Sequence, residues 1–293
     1  MLSSTQKAIP FVNTATEQIH AAAQYLSMAG KFFLENKPDD SHTNLGWDAT
    51  RSCFIGRNLG GPQQVSLALF PESFSLVLLN AQLEPISELA LDGLRLQEGE
   101  DWVKRTLSSV GLENPDYRLD LHYQLPEYAI FKTGRFEKKL DESHLAFSTI
   151  RSLGDQVLKQ YQPNFEHASE LRTWPHHFDH GIYCPLAFNT AGEPIKSISL
   201  GLAIHDATIP EPYFYITHWQ EDPAAQAAFP SLPGKAYWNT TDFTGAILKI
   251  SDLLALESEL ERKEQIHHYF LEGIRQSLGF MKLPPIPFSQ GAE

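Results

Sequence analysis

Helical periodicity gives way to strand alternation twice along this chain, in the same order each time. Ile19, Ala22, Ala23, Leu26, Gly30 and Phe33 recur at helical intervals, so the spacing predicts an amphipathic helix over 14–34 after a loose lead-in over 1–12. Thr14 and Glu17 have capping-box spacing at its start. Pro38 and two aspartates break the pattern, and strand signals then run from His42 to about Leu91. Gly60-Gly61-Pro62 is a turn, Val65, Leu67 and Leu69 alternate, and 74–79 is an apolar run of strand length. A short helix over 99–110 and a strand over 117–125 follow. The second round opens with a helix over 141–160 that Pro163 stops. It continues with strands at 171–188, 195–205 and 212–219 and a Pro/Ala-rich loop over 222–236. A long final helix ends it, capped by Ser251, with Leu253, Leu256, Leu260, His267, Phe270, Ile274 and Leu278 as its inward stripe.

A meander with one apolar face needs a helix to cover that face. The expected fold class is therefore α+β: two similar halves from an internal duplication, each an antiparallel sheet with helices packed on it. The halves are read as 1–139 and 140–282, followed by a flexible Pro-rich tail over 283–293. Setting Trp47-Asp48 against Phe178-Asp179 also sets Cys53 against Cys184, since 179 − 48 and 184 − 53 both equal 131. With two further residues allowed, Val65-Ser66-Leu67-Ala68-Leu69 lies against Ile198-Ser199-Leu200-Gly201-Leu202. This alignment predicts that Asp48 superposes on Asp179 and Cys53 on Cys184, and that Asp179 is buried and partly structural.

Charge and cysteine content narrow the function classes. Lys and Arg number 23 against 36 Asp and Glu, a net charge of −13, and no basic stripe offsets it, so a nucleic-acid partner is not expected. No apolar run approaches the roughly 18 residues of a membrane span, and the N-terminus does not read as a signal peptide. Cys53 and Cys184 form no CxxC pair and read as buried thiols of a cytoplasmic protein.

The stretch Trp174-Pro175-His176-His177-Phe178-Asp179-His180 gathers the residues best suited to chemistry. On a strand, His177 and Asp179 would share a face. Such a pair suits two ligands of one divalent metal, or an imidazole oriented by a carboxylate. Glu211 and His205 can arrive from neighbouring strands. His177, Asp179 and Glu211 are thus the candidate catalytic residues, and His177, Asp179 and His205 the candidate metal ligands. Trp174, His176, Tyr213, Tyr215 and Trp238 are the candidate ligand-binding aromatics and imidazole. The plainer reading is a buried polar pair and an aromatic sheet core. No HExxH, GxSxG or GxxxxGK occurs.

The chain also resembles an uncharacterised bacterial family of conserved hypothetical proteins, a domain of unknown function. The likeness rests on Trp-Pro-His-His-Phe-Asp at 174–179, Ser199-Leu200-Gly201-Leu202, Glu211-Pro212-Tyr213-Phe214-Tyr215, and Trp238-Asn239-Thr240-Thr241-Asp242-Phe243-Thr244-Gly245-Ala246. A histidine often stands in that family where this chain has Asn239. The resemblance implies a fold neighbourhood and no activity. The functional expectation is a small-molecule-binding protein or enzyme with a His/Asp/Glu pocket around 174–181, 205–218 and 238–245. The alternative is a protein–protein interaction module whose histidines are structural. The sequence assigns no oligomeric state.

Overall fold

The computed structural model describes residues 2–222 and 228–288 of the chain, with side chains from Val12 onward. The protein is α+β, with two antiparallel sheets of five and six strands, a number and size compatible with two halves. It divides into two compact units. The N-terminal unit comprises Lys7–Ser152 with Arg172–Phe178. The C-terminal unit comprises Leu153–Leu171 and Asp179–Glu293, with Met1–Gln6. Among the described residues no helix is long and apolar enough to cross a membrane.

The helix α1 (Leu2–Phe33), which belongs to the N-terminal unit from Lys7 onward, begins well upstream of Thr14, so the expected loose lead-in is helical from Leu2. Thr14 does not cap it, and Thr16 Oγ1 bonds back to Val12 O at 2.9 Å. Ile19, Ala22, Leu26 and Ala29 are buried, but so are Thr16, His20, Gln24 and Ser27. A helix enclosed on this many sides must find partners for its polar residues inside the protein. The meander β1 (Gly46–Asp48), β2 (Cys53–Ile55), β3 (Ser66–Phe70), β4 (Ser75–Leu79), β5 (Pro85–Ala90) pairs in sequence order. Ala68, Val77 and Leu79 form a cluster with Ile55, Phe70 and Leu83 packed against it. α2 (Leu96–Ser109) buries Trp102, Val103, Thr106 and Leu107, and α3 (Ala129–Thr133) ends on Gly134 in the left-handed region.

The stretch 117–125 is not a strand. Its alternation is real, but its partner is a helix. Tyr117 Oη donates to Tyr25 O at 3.0 Å and Tyr123 Oη to Gln24 Oε1 at 2.6 Å, both on α1. α4 (Asp141–Tyr161) follows the predicted periodicity; its residues through Ser152 belong to this unit. The short β6 (Arg172–Thr173) closes the unit, with Thr173 and Leu45 exchanging backbone hydrogen bonds at 2.8 and 3.0 Å.

The C-terminal unit is built on β7 (His180–Phe188), β8 (Pro194–Ala203), β9 (Tyr213–Gln220), β10 (Tyr237–Asn239) and β11 (Gly245–Lys249), in spatial order β7-β8-β9-β11-β10. Leu200, Leu202, Phe214, Ile216 and Ala246 share one buried face. The later part of α4 and α6 (Glu259–Phe280) pack on that face. Gly154 lies against Leu202 and Gly273 against Ile216, where a Cβ would come within 2.6 Å. Tyr269 Oη sits 2.8 Å from Ala246 O and 3.1 Å from Phe214 O. The expected single final helix is two: α5 (Ile250–Leu254) and α6. Ser258, not Ser251, caps α6 in a capping box with Glu261, which leaves Leu260 exposed. Residues 223–227 of the expected loop and 289–293 of the expected tail lie outside the described residues. Within 283–288, the Phe288 ring packs near Tyr161 and Phe165.

The residue equivalences drawn between the halves do not hold. Asp48 and Cys53 face each other across the β1–β2 hairpin, whereas Asp179 and Cys184 lie along one extended segment. Cys184 pairs with Ile198. The counterpart of Ile198, Val65, is instead bonded by Leu59, well past Cys53. Equal spacing therefore spans a turn in one half and a strand in the other.

Candidate functional site

The Trp174–Asp179 stretch is a turn. Phe178 N–H donates to Trp174 O at 2.7 Å, and Phe178 adopts φ = 59°. The strand alternation that would have put His177 and Asp179 on one face does not apply. His177 is exposed and belongs to the N-terminal unit; Asp179 is half-buried, rather than buried, and belongs to the other. A bulky residue in the left-handed region is strained and must be held by its surroundings. Phe178 is fully buried, stacked on His20 at 4.5 Å and 5.0 Å from Phe54. The buried Arg151 donates Nη2 to Phe178 O at 2.9 Å, with its guanidinium 5.2 Å from the ring centre.

α1 fixes the rest of this turn. Pro175 O accepts from His20 Nε2 at 2.7 Å and Gln24 Nε2 at 3.0 Å. A carbonyl only accepts, so His20 carries its proton on Nε2, and Nδ1 accepts from Tyr128 Oη at 2.9 Å. Burial pushes the His20 pKa down to about 3, against the Pro175 hydrogen bond and with help from Arg151, so the ring is neutral. His176 is half-buried, its ring 5.8 Å from Tyr123 and 6.2 Å from Trp174. Sequence reading missed His20 and Gln24. Their signal was a histidine and a glutamine four residues apart amid the apolar positions of α1.

In the C-terminal unit the sheet face away from α6 carries a different set. Cross-strand partners share a face. One row across the sheet is Gly181, Gly201, Tyr215, Ile247 and Tyr237; the next is Tyr183, Ser199, Thr217, Gly245 and Asn239. The Tyr215 ring lies over the two glycines. A Cβ on Gly201 would come within 2.4 Å of the phenol, and one on Gly181 within 2.8 Å. Tyr215 Oη donates to Asp179 Oδ2 at 2.6 Å. Tyr183, Trp219 and Tyr237 on this face are 38%, 51% and 37% exposed.

Two loops close over one end of this face. Tyr213, which is buried, donates Oη to Asp206 Oδ2 at 2.6 Å, and Asp206 Oδ1 accepts from the Thr208 and Ile209 N–H groups. Thr208 Oγ1 donates to Asp242 Oδ2 at 2.5 Å. Asn239 Nδ2 donates to Thr241 O and Phe243 O, which ties the second loop and accounts for an amide at this position. Burial first, then the Asp206 hydrogen bond and the charges of Asp206 and Asp179, raises the Tyr213 phenol well above its usual pKa. Burial, Glu211 and Asp206 push Tyr237 in the same direction.

The other predicted residues are distributed as follows. Glu211 accepts from Ser251 N–H at 3.0 Å and lies 3.8 Å from Lys249 Nζ. Trp238 points to the α6 side, donating Nε1 to Gln276 Oε1 at 2.9 Å. His205 Nδ1 is buried without a hydrogen-bond partner, and burial lowers the ring's pKa against the pull of Asp206. Among the described residues, no group of three or more His, Cys, Asp or Glu side chains is placed to hold a metal ion, so His177, Asp179 and His205 do not assemble into such a set. Cys53 and Cys184 are both free and buried, and burial raises each thiol to about 12. No protein-family model, no curated protein and no solved structure matches the chain.

Proposed function

We propose that the protein binds a small molecule on the sheet face of its C-terminal unit, around Asp179–Tyr183, Tyr215, and the loops at 205–212 and 240–244. The observation that carries this reading is the seat of Tyr215. Two facing glycines clear room for its ring, Asp179 fixes its hydroxyl, and the surrounding face stays partly open. A few fixed polar groups beside aromatic rings are the usual lining of a small-molecule site. Binding is put ahead of catalysis because both thiols stay protonated at neutral pH and the nearby carboxylates are engaged in holding tyrosines and loops. The second reading, a protein-interaction module, has one observation in its favour: Trp219, Tyr183 and Tyr237 are exposed on the same face.

A ligand-observed NMR screen of a chemically mixed fragment set, run on wild type and Tyr215→Ala, tests the proposal. The expected result is a subset of fragments that bind wild type and are released by the substitution. Absence of binders, together with concentration-dependent association that Trp219→Ala abolishes, would favour the interaction module instead.

A further inference from the structure

Resting on that reading, we infer that the ligand is a neutral sugar, its ring stacked on Tyr215 and its hydroxyls bonded by Ser199, Thr217 and Asp179. Side chains on a strand ordinarily stand up from the sheet. Tyr215 lies down instead. Its phenol reaches from β9 over Gly201 on β8 to Gly181 on β7, and Asp179 Oδ2 accepts from its hydroxyl at 2.6 Å. The ring thus rests on the backbone of two strands, while the residue stays half-buried and keeps its outer side open. The neighbouring row on the same face is Tyr183, Ser199 and Thr217. Ser199 and Thr217 are half-buried, and their hydroxyls bond to no described residue. Tyr183 is exposed at the end of that row.

These groups sort the ligand classes. A pyranose presents a face of weakly positive C–H groups, which suits the negative face of an aromatic ring. Around that face it carries hydroxyls that both donate and accept. Ser199 and Thr217 can answer them in either role, and the Asp179 carboxylate keeps acceptor sites beyond the one that Tyr215 uses. Neither row contains a lysine or an arginine, and the chain carries a charge of −13. A phosphate or carboxylate on the ligand would therefore be repelled. A planar heterocycle without hydroxyls could stack on Tyr215 but would leave Ser199 and Thr217 unused.

The experiment titrates the full chain at neutral pH with the methyl glycosides of glucose, galactose, mannose and N-acetylglucosamine. Glucose 6-phosphate and caffeine are the contrasting probes, one anionic and one planar without hydroxyls. Binding is read by saturation-transfer NMR and by calorimetry. The double variant Ser199→Ala, Thr217→Val keeps the shape of both side chains and removes only their hydroxyls, so it should fold. Leu260→Ala, at an exposed position of α6, is the control. At least one methyl glycoside should bind, more tightly than caffeine, and glucose 6-phosphate should bind less well than methyl glucoside. The double variant should weaken the bound glycoside about tenfold, Tyr215→Ala should abolish its binding, and the control should leave it unchanged. Caffeine binding as tightly as every glycoside, glucose 6-phosphate matching methyl glucoside, or indifference to the double variant overturns the sugar class and leaves the small-molecule reading standing. Failure of all four glycosides to bind also overturns it, and the fragment screen then decides separately whether the face binds small molecules.

Discussion

His180 Nε2 lies 3.3 Å from Asp155 Oδ1, and both side chains are closed off from solvent. Burial opposes ionisation of Asp155, but hydrogen bonds from His180 and Lys159 outweigh it and hold the carboxyl below its ordinary value of 3.8. A depressed folded pKa means that this contribution to stability is complete above pH 3.8 and is lost as pH falls through the lower folded value. Asp155→Ala should cost about 1–3 kcal/mol at neutral pH, because it removes this acceptor from the buried His180 ring. Urea unfolding across pH 2–7 checks this: the variant should have a shallower acid-side slope below pH 3.8 than wild type, Asp39 and Asp48 keeping their own share.

A second slope belongs to His20 and falls at higher pH. Its pKa is lowered from 6.5 to about 3, chiefly by burial, so between those values the unfolded chain binds a proton that the folded one does not. Stability is therefore full above pH 6.5 and declines as pH falls towards 3. His20→Gln keeps a donor and an acceptor without a titrating ring. It should cost about 1–3 kcal/mol at neutral pH and flatten the decline. An unchanged slope in the variant would show that His20 is not the group responsible.

The seat of Tyr215 predicts a coupling. Gly201→Ala brings a Cβ within 2.4 Å of the phenol and should destabilise by about 1–3 kcal/mol. In a Tyr215→Ala background the same change should cost far less, since the ring it displaces is gone. Additive costs in the four-protein cycle would mean that Gly201 serves some other purpose.

Both thiols should resist modification in the folded protein. Cys53 and Cys184 are buried with pKa values raised to about 12, so a thiol reagent at neutral pH should react with neither at the rate of a free peptide thiol. Unfolding without reductant should then release two reactive groups per chain, measured by absorbance.

Fold class was legible because periodicity reports burial directly: α4 and the β8–β9 pair lie where their apolar spacing put them. The misreadings share one cause, which is that local pattern does not name its partner. The alternation at 117–125 aims tyrosines at α1 rather than at a neighbouring strand. Equal Asp–Cys spacing crosses a hairpin at Asp48 and runs straight at Asp179. The organising histidine stretch is a turn because Phe178 takes a positive φ, which burial against His20 and Arg151 imposes and which nothing in its own side chain announces. Of the predicted site, Tyr215 with Asp179 and Tyr213 with the 205–212 loop come together; Trp238 is turned to the opposite face.

Amide chemical-shift mapping tests the binding face most directly. With a fragment that Tyr215→Ala releases, the account predicts shifts concentrated at Gly181, Gly201, Thr217 and the loops at 205–212 and 240–244, growing with ligand and independent of protein concentration. Shifts scattered over the α6 side around Trp238 and Gln276, or broadening of the Tyr183 and Trp219 region that follows protein concentration alone, would contradict it.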